Sequence, residues 1–184
     1  SAPQSGNNDK AQLQRPLTAQ QREQALDNMQ QFSLTASLGV KSPTDNVSGN
    51  LSWQQDGAYY QAKLTNILGI TVFDLVTSPN GVTVETDGKV HQADNASALL
   101  DYLSGWSLPI EEMQLWLRGL PGPSSEDLQY DAMGRLTGFT LLDSQQRRWQ
   151  VRYTGFFVDP LSLPEKMQLD SKDIRLKLKI KNWQ

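Results

Sequence analysis

The feature that most constrains this chain is the alternation in its C-terminal run, DIRLKLKIKNW at 173–183. Ile174, Leu176, Leu178 and Ile180 fall on one side of an extended backbone, and Arg175, Lys177, Lys179 and Lys181 on the other. A period of two with one dry and one charged side describes a strand whose sheet has one buried face. The same period recurs from Phe32. FSLTASLGV puts Phe32, Leu34, Ala36, Leu38 and Val40 together, and NVSGNLSWQQ continues through Val47, Leu51 and Trp53. Asp56-Gly57, Asn80-Gly81 and Asp87-Gly88 each follow a strand-like run and precede another, as hairpin turns do. EDLQYD, RLTGFTLLD, RRWQVRYTGF and EKMQLD add further strands before the last one. The economical reading is an antiparallel meander of about eleven strands, too long to stay flat, which must curl into a barrel or sandwich around one buried face.

One helix precedes this pattern and two helical segments lie within it. Thr18 and Gln21 have the spacing of a capping box, and Ala25, Leu26 and Met29 give the following helix only a thin apolar stripe, suited to lying on a surface. DNASALLDYLSG carries a cap at Asp94 or Asn95, apolar Ala96, Leu99, Leu100 and Leu103, and Gly105 as a stop. SLPIEEMQLWLRG follows, with Pro109 in its first turn, Ile110, Met113, Trp116, Leu117 and Leu120 at helical spacing, and Gly119 at its end. Residues 1–15 are polar, without apolar periodicity, and read as a flexible tether ahead of a single domain over 16–184.

With 184 residues and 38% hydrophobic content, one domain with a sizeable core is expected. The net charge of −3 gives no sign of a nucleic-acid surface. The absence of cysteine excludes disulfides, zinc–thiolate sites and thiol nucleophiles, and the single histidine, His91 in KVHQA, cannot build a multi-histidine metal site. No Ser-His-Asp signature surrounds it, so a structural or surface role is expected. Glu111-Glu112 stand where a helix N-terminus favours negative charge, which accounts for them without catalysis. No catalytic residue, cofactor or metal site is expected, and the chain reads as a binding protein rather than an enzyme.

A curled sheet of roughly this strand number encloses more volume than its inward side chains must fill, and two helices with apolar faces would cover its opening. The candidate lining is Leu51, Trp53, Phe73, Leu75, Phe139 and Trp149 from strands, with Leu99, Leu103, Met113, Trp116 and Leu117 from helices. Each alone is also what an ordinary core contains. As a set without polar catalytic groups, they describe an apolar, unreactive cavity.

One hairpin tip departs from turn chemistry. LTNILGITVF at 64–73 places Ile67, Leu68 and Ile70 around Gly69, where polar turn residues belong. With WQQ at 53–55, TDGKVHQAD at 86–94, WLRGLPG at 116–122 and LKLKIKNW at 176–183, this stretch resembles the LolB family of outer-membrane lipoprotein receptors, from about Phe32 to Trp183. The resemblance implies a mainly β (α+β) fold, an unclosed antiparallel barrel with an α-helical lid and a cavity for acyl chains. It implies acceptance of acylated lipoproteins from the periplasmic carrier LolA and their insertion into the inner leaflet of the outer membrane, by a monomer. In that family a leucine on a protruding loop assists delivery; Leu68 matches it, and Ile67 stands where the family pattern has proline, at some loss of local rigidity. The family's mature N-terminus is a lipidated cysteine facing the periplasm from the outer membrane. This chain begins at Ser1 without one and is taken as a version lacking its anchor.

The alternative within the same fold is a soluble periplasmic acyl-chain or lipoprotein carrier, which a native N-terminus lacking cysteine would favour. A barrel hydrolase lacks a triad, and a purely structural envelope lipoprotein would need no cavity.

Overall fold

The computed structural model describes residues 17–104 and 108–184. The expected tether at 1–15 and the stop at Gly105 lie outside them. Helix α1 (Ala19–Asp27) precedes six strands: β1 (Gln31–Lys41), β2 (Asn46–Asp56), β3 (Tyr59–Asn66), β4 (Thr71–Ser78), β5 (Gly81–Thr86) and β6 (Lys89–Ala93). Helices α2 (Ala96–Ser104) and α3 (Ile110–Trp116) follow, then β7 (Glu126–Tyr130), β8 (Leu136–Leu142), β9 (Arg148–Phe156), β10 (Pro164–Ser171) and β11 (Ile174–Trp183).

All eleven strands form one antiparallel sheet in the order β6-β5-β4-β3-β2-β1-β11-β10-β9-β8-β7. Two consecutive meanders are therefore joined by pairing of the first strand with the last, Leu38 opposite Leu178 and Ala36 opposite Ile180. The aromatic rings of Phe32 and Trp183, 5.5 Å apart, pack at one end of that seam. Strands β6 and β7 remain as edges, so the barrel is unclosed. The chain passes from one edge to the other through α2 and α3, which places the helices at the opening by connectivity alone. Helix α2 packs on β4 and β5 and against α3.

The alternation seen in the sequence sorts side chains as expected. Leu34, Leu38, Leu51, Leu64, Phe73, Leu75, Val84, Val151, Leu169 and Leu176 are buried on the inner face, whereas Lys177 and Lys179 are exposed on the outer one. Val47, at the start of β2, shares the inner parity yet is 37% exposed, because the sheet's end leaves it uncovered. The three Asx-Gly pairs all mark hairpins, with one correction of register. Asp87 and Gly88, at φ 53° and 73°, are the two loop residues between paired Thr86 and Lys89. Asp56 instead pairs with Tyr59, and Ser78 with Gly81, so the other two loops are Gly57-Ala58 and Pro79-Asn80.

Helix α1 has its capping box, with Thr18 Oγ1 accepting from the Gln21 amide and Gln21 Oε1 from the Thr18 amide. Besides Leu26 it buries Arg22, which donates to the Gly134 and Leu17 carbonyls. Asn95, not Asp94, caps α2 by accepting from the Ala98 amide at 2.9 Å. Pro109 precedes α3 at its N-cap rather than lying within its first turn. Gly119, at φ 85°, ends the turn after α3: its amide donates to the Trp116 carbonyl and that of Leu120 to the Leu115 carbonyl, a Schellman pair.

Candidate functional site

The tip between β3 and β4 is held by Asn66. Its side-chain Oδ1 accepts from the amides of Leu68 at 2.9 Å and Ile70 at 3.0 Å. Its own amide donates to the Ile70 carbonyl, and its carbonyl accepts from Gly69, whose φ of 83° suits glycine. With the backbone turned back on Asn66, the aliphatic side chains have no inward direction left. Ile67, Leu68 and Ile70 are 76%, 78% and 60% exposed. Local hydrogen bonds thus supply the fixed shape that a proline at position 67 would otherwise impose.

The interior lies between the sheet and the helices. Leu51, Trp53, Phe73, Leu75, Met113, Trp116, Leu117, Phe139 and Trp149 are buried within one hydrophobic cluster, and Leu99 and Leu103 pack against it half-buried. All eleven candidates are therefore brought together. Within the cluster the Trp116 ring meets Phe139 and Trp149 edge-on, at centroid distances of 5.8 and 6.5 Å. In this arrangement α3 fills the barrel mouth with its own side chains.

Polar groups at the rim fasten the helices. Trp53 Nε1 donates to Gln55 Oε1 at 2.8 Å, and Gln55 Nε2 donates in turn to Gln114 Oε1 on α3 at 2.9 Å. Glu111 reaches across to the start of α2, where its Oε1 accepts from the Ala96 and Ser97 amides, and its Oε2 accepts from the Ser144 hydroxyl in the β8–β9 turn. Glu111 therefore serves the neighbouring helix's N-terminus while standing in the first turn of its own. Burial pushes the Glu112 carboxyl above the usual range, with Glu111 and Asp143 adding repulsion. Its Oε2 is buried without a partner. Past α3, Arg118 Nη1 donates to the carbonyls of Leu26 and Met29 at 3.2 and 3.0 Å, and its guanidinium lies 5.6 Å from the Phe32 ring centre. The buried Tyr153 hydroxyl donates to the Trp116 carbonyl.

Gln55, Gln114, Arg118 and Tyr153 were not singled out by the sequence reading. One signal was available for Gln55: it lies two residues from Trp53 in a strand, so a polar group sits on the dry face and needs a partner. His91 sits half-buried on edge strand β6 opposite Val84. Among the described residues no three histidine, cysteine or carboxylate side chains cluster as metal ligands would.

Comparison with known proteins agrees with this geometry. The family model described as outer membrane lipoprotein LolB matches residues 30–183. A protein named outer-membrane lipoprotein LolB from Shewanella baltica is 32% identical over 154 residues, covering 83% of this chain and 72% of that protein. Its namesake from Pseudomonas aeruginosa is 34% identical over 164 residues, covering 88% and 78%. Among solved structures, a LolA superfamily protein from Nitrosomonas europaea superposes with a TM-score of 0.56 at 8% identity, covering 91% of this chain and 93% of that one, which speaks to the fold alone. The chain belongs to the outer membrane lipoprotein LolB family.

Proposed function

We propose that this chain localises lipoproteins at the outer membrane: it accepts them from the periplasmic carrier LolA, shelters their acyl chains between sheet and helices, and passes them to the inner leaflet. The single observation that carries the delivery step is the tip, three aliphatic side chains exposed on a turn whose backbone is bonded to Asn66. Exposure of that kind costs solubility and contributes nothing to the core, so its use lies outside the molecule.

Magnitudes support exchange rather than covalent chemistry. Burying an acyl chain of roughly fifteen methylenes is worth about 12 kcal/mol at ~0.8 kcal/mol each. Displacing Met113, Trp116, Leu117 and Leu103 from the barrel mouth re-exposes side chains worth roughly 1.5–3 kcal/mol apiece. The two are of the same order, so cargo can enter by displacing the helices and they can return when it leaves. Release through water would forfeit the whole acyl contribution, which favours direct hand-over to a bilayer. The family's lipid anchor would keep the domain beside that bilayer.

The test uses one purified variant, Leu68→Glu, in two steps: uptake from loaded LolA, then transfer to liposomes. The expected result is normal uptake and failed transfer, because a carboxylate resists entering an apolar layer. Normal transfer would sink the delivery role of the tip, and lost uptake in a stable variant would make the tip a carrier-docking element.

A further inference from the structure

A groove of about 620 Å³ crosses the outer face of β2, β1, β11 and β10. Ser37, Gly39 and Ser48 contribute to its floor, Lys166, Lys177 and Lys179 rise from the β10–β11 side, and Ile67 of the tip belongs to its wall. We propose that this groove is a platform for the headgroups of an anionic bilayer, its three lysines on lipid phosphates while the neighbouring tip enters the apolar layer. The proposal rests on reading the tip as the membrane contact.

The lysines are placed at a cost the fold does not recover. Lys166 and Lys179 lie directly opposite across β10 and β11, where like charges destabilise the pair. The nearby arginines are neutralised: Arg152 on β9 and Arg175 on β11 both bind the Asp170 carboxylate, at 3.3 and 2.7 Å. Among the described residues Lys166, Lys177 and Lys179 have no such partner. An external anion would supply one.

The floor tells the same story. Gly39 sits inside central strand β1, where glycine weakens a sheet. A Cβ there would meet nothing within 4 Å, so packing does not demand the glycine. Its effect is to keep the floor flat between the lysines of β11 and Ser48, its neighbour on β2. The chain as a whole carries −3, so this cationic strip is a local arrangement and not a spill-over of net charge. Phosphates within a side chain's reach of an apolar layer are what a bilayer surface presents, and lysines with long stems suit that boundary.

The experiment measures binding of the cargo-free protein to liposomes of phosphatidylcholine, with and without about one third phosphatidylglycerol, at low and high salt. Each juxtamembrane lysine is worth roughly fivefold in affinity for an anionic surface. Wild type should prefer the anionic liposomes, and K166Q/K177Q/K179Q should lose at least tenfold there while hardly changing on neutral ones. Salt at about 1 M, with a screening length near 3 Å, should erase the difference between the two proteins. Lys177→Gln alone should weaken binding several-fold, and Lys181→Gln, at the far end of β11, by less than twofold. Unchanged binding of the triple variant to anionic liposomes would overturn the proposal, as would equal losses for Lys177→Gln and Lys181→Gln, which would reduce it to bulk charge. Leu68→Glu separates the premise: it should weaken binding to both liposomes. Undiminished binding by Leu68→Glu on neutral liposomes would count against the tip and leave the lysine result to be judged on its own contrast.

Discussion

Asn66 shows how one side chain decides what a turn presents. Its Oδ1 takes two amide hydrogens that would otherwise face water, and the three aliphatic neighbours are turned outward as a consequence. Asn66→Ala removes both bonds at a half-buried site, so stability should fall by roughly 1–2 kcal/mol with the domain still folded. Transfer to liposomes should nonetheless slow several-fold, because the aliphatic side chains would no longer be held together. Unaltered transfer kinetics would show that shape at the tip does not matter. Glu112 poses a different residue-scale problem, a half-buried acid beside Glu111 and Asp143 with a folded pKa above its ordinary value. Between the ordinary and the raised value the native state holds more protons than the unfolded one, so this group's contribution to stability falls as pH rises through that window. Glu112→Gln should therefore raise the melting temperature at pH 7. The gain should shrink as pH falls towards about 3, where both states of the wild type are protonated. A gain independent of pH would mean that the charge is not the cause.

At the scale of elements, α3 and its flanks are what the barrel closes with. Gln114 accepts from Gln55 at the rim, and Gln55 keeps a second acceptor in the Gly57 carbonyl. Gln114 Nε2 also donates to the Glu111 carbonyl, so Gln114→Leu should lose two hydrogen bonds, about 2 kcal/mol in all, or a melting temperature lower by roughly 4–8 °C. If the lid opens about the Gln55–Gln114 bond, the variant should bind an apolar fluorescent dye more strongly than wild type. Identical dye binding with the lower melting temperature would place the bond in stability alone. Much of this element was legible beforehand. Ile110, Met113, Trp116 and Leu117 recur at helical spacing, and Gly119 is the natural stop because its φ is positive. The destinations of the polar groups were not legible. Arg118 reads as a surface residue, yet it spans to the carbonyls at the end of α1, and Glu111 caps a helix other than its own. Such partners are set by three-dimensional closure, for which local period carries no information.

On the scale of the whole molecule, alternation and turn residues specify two meanders but not how they meet. The seam of β1 with β11 joins residues some 140 positions apart, and the bulge near Thr35–Ala36 sets its register. Nor did the sequence distinguish an open cavity from a filled one, since the same apolar residues suit either. The architecture separates a doubly paired central frame from its edges. Central strands β2, β1, β11 and β10 pair on both sides, whereas β6 and β7 are edges and α2–α3 bridge them. Every residue of β7 is exposed, Leu128 and Tyr130 included. Hydrogen exchange should therefore grade the molecule. Amides of β1, β2, β10 and β11 should exchange only with global unfolding, and those of α2, α3 and β6 through smaller openings. Adding a lipoprotein or a long-chain acyl detergent should speed exchange in α2 and α3, which leave the mouth, and leave the central strands protected. Slower exchange throughout α2 and α3 on adding acyl chains would mean that they bind without displacing the helices. The space they occupy would then have to lie elsewhere than between α3 and the sheet.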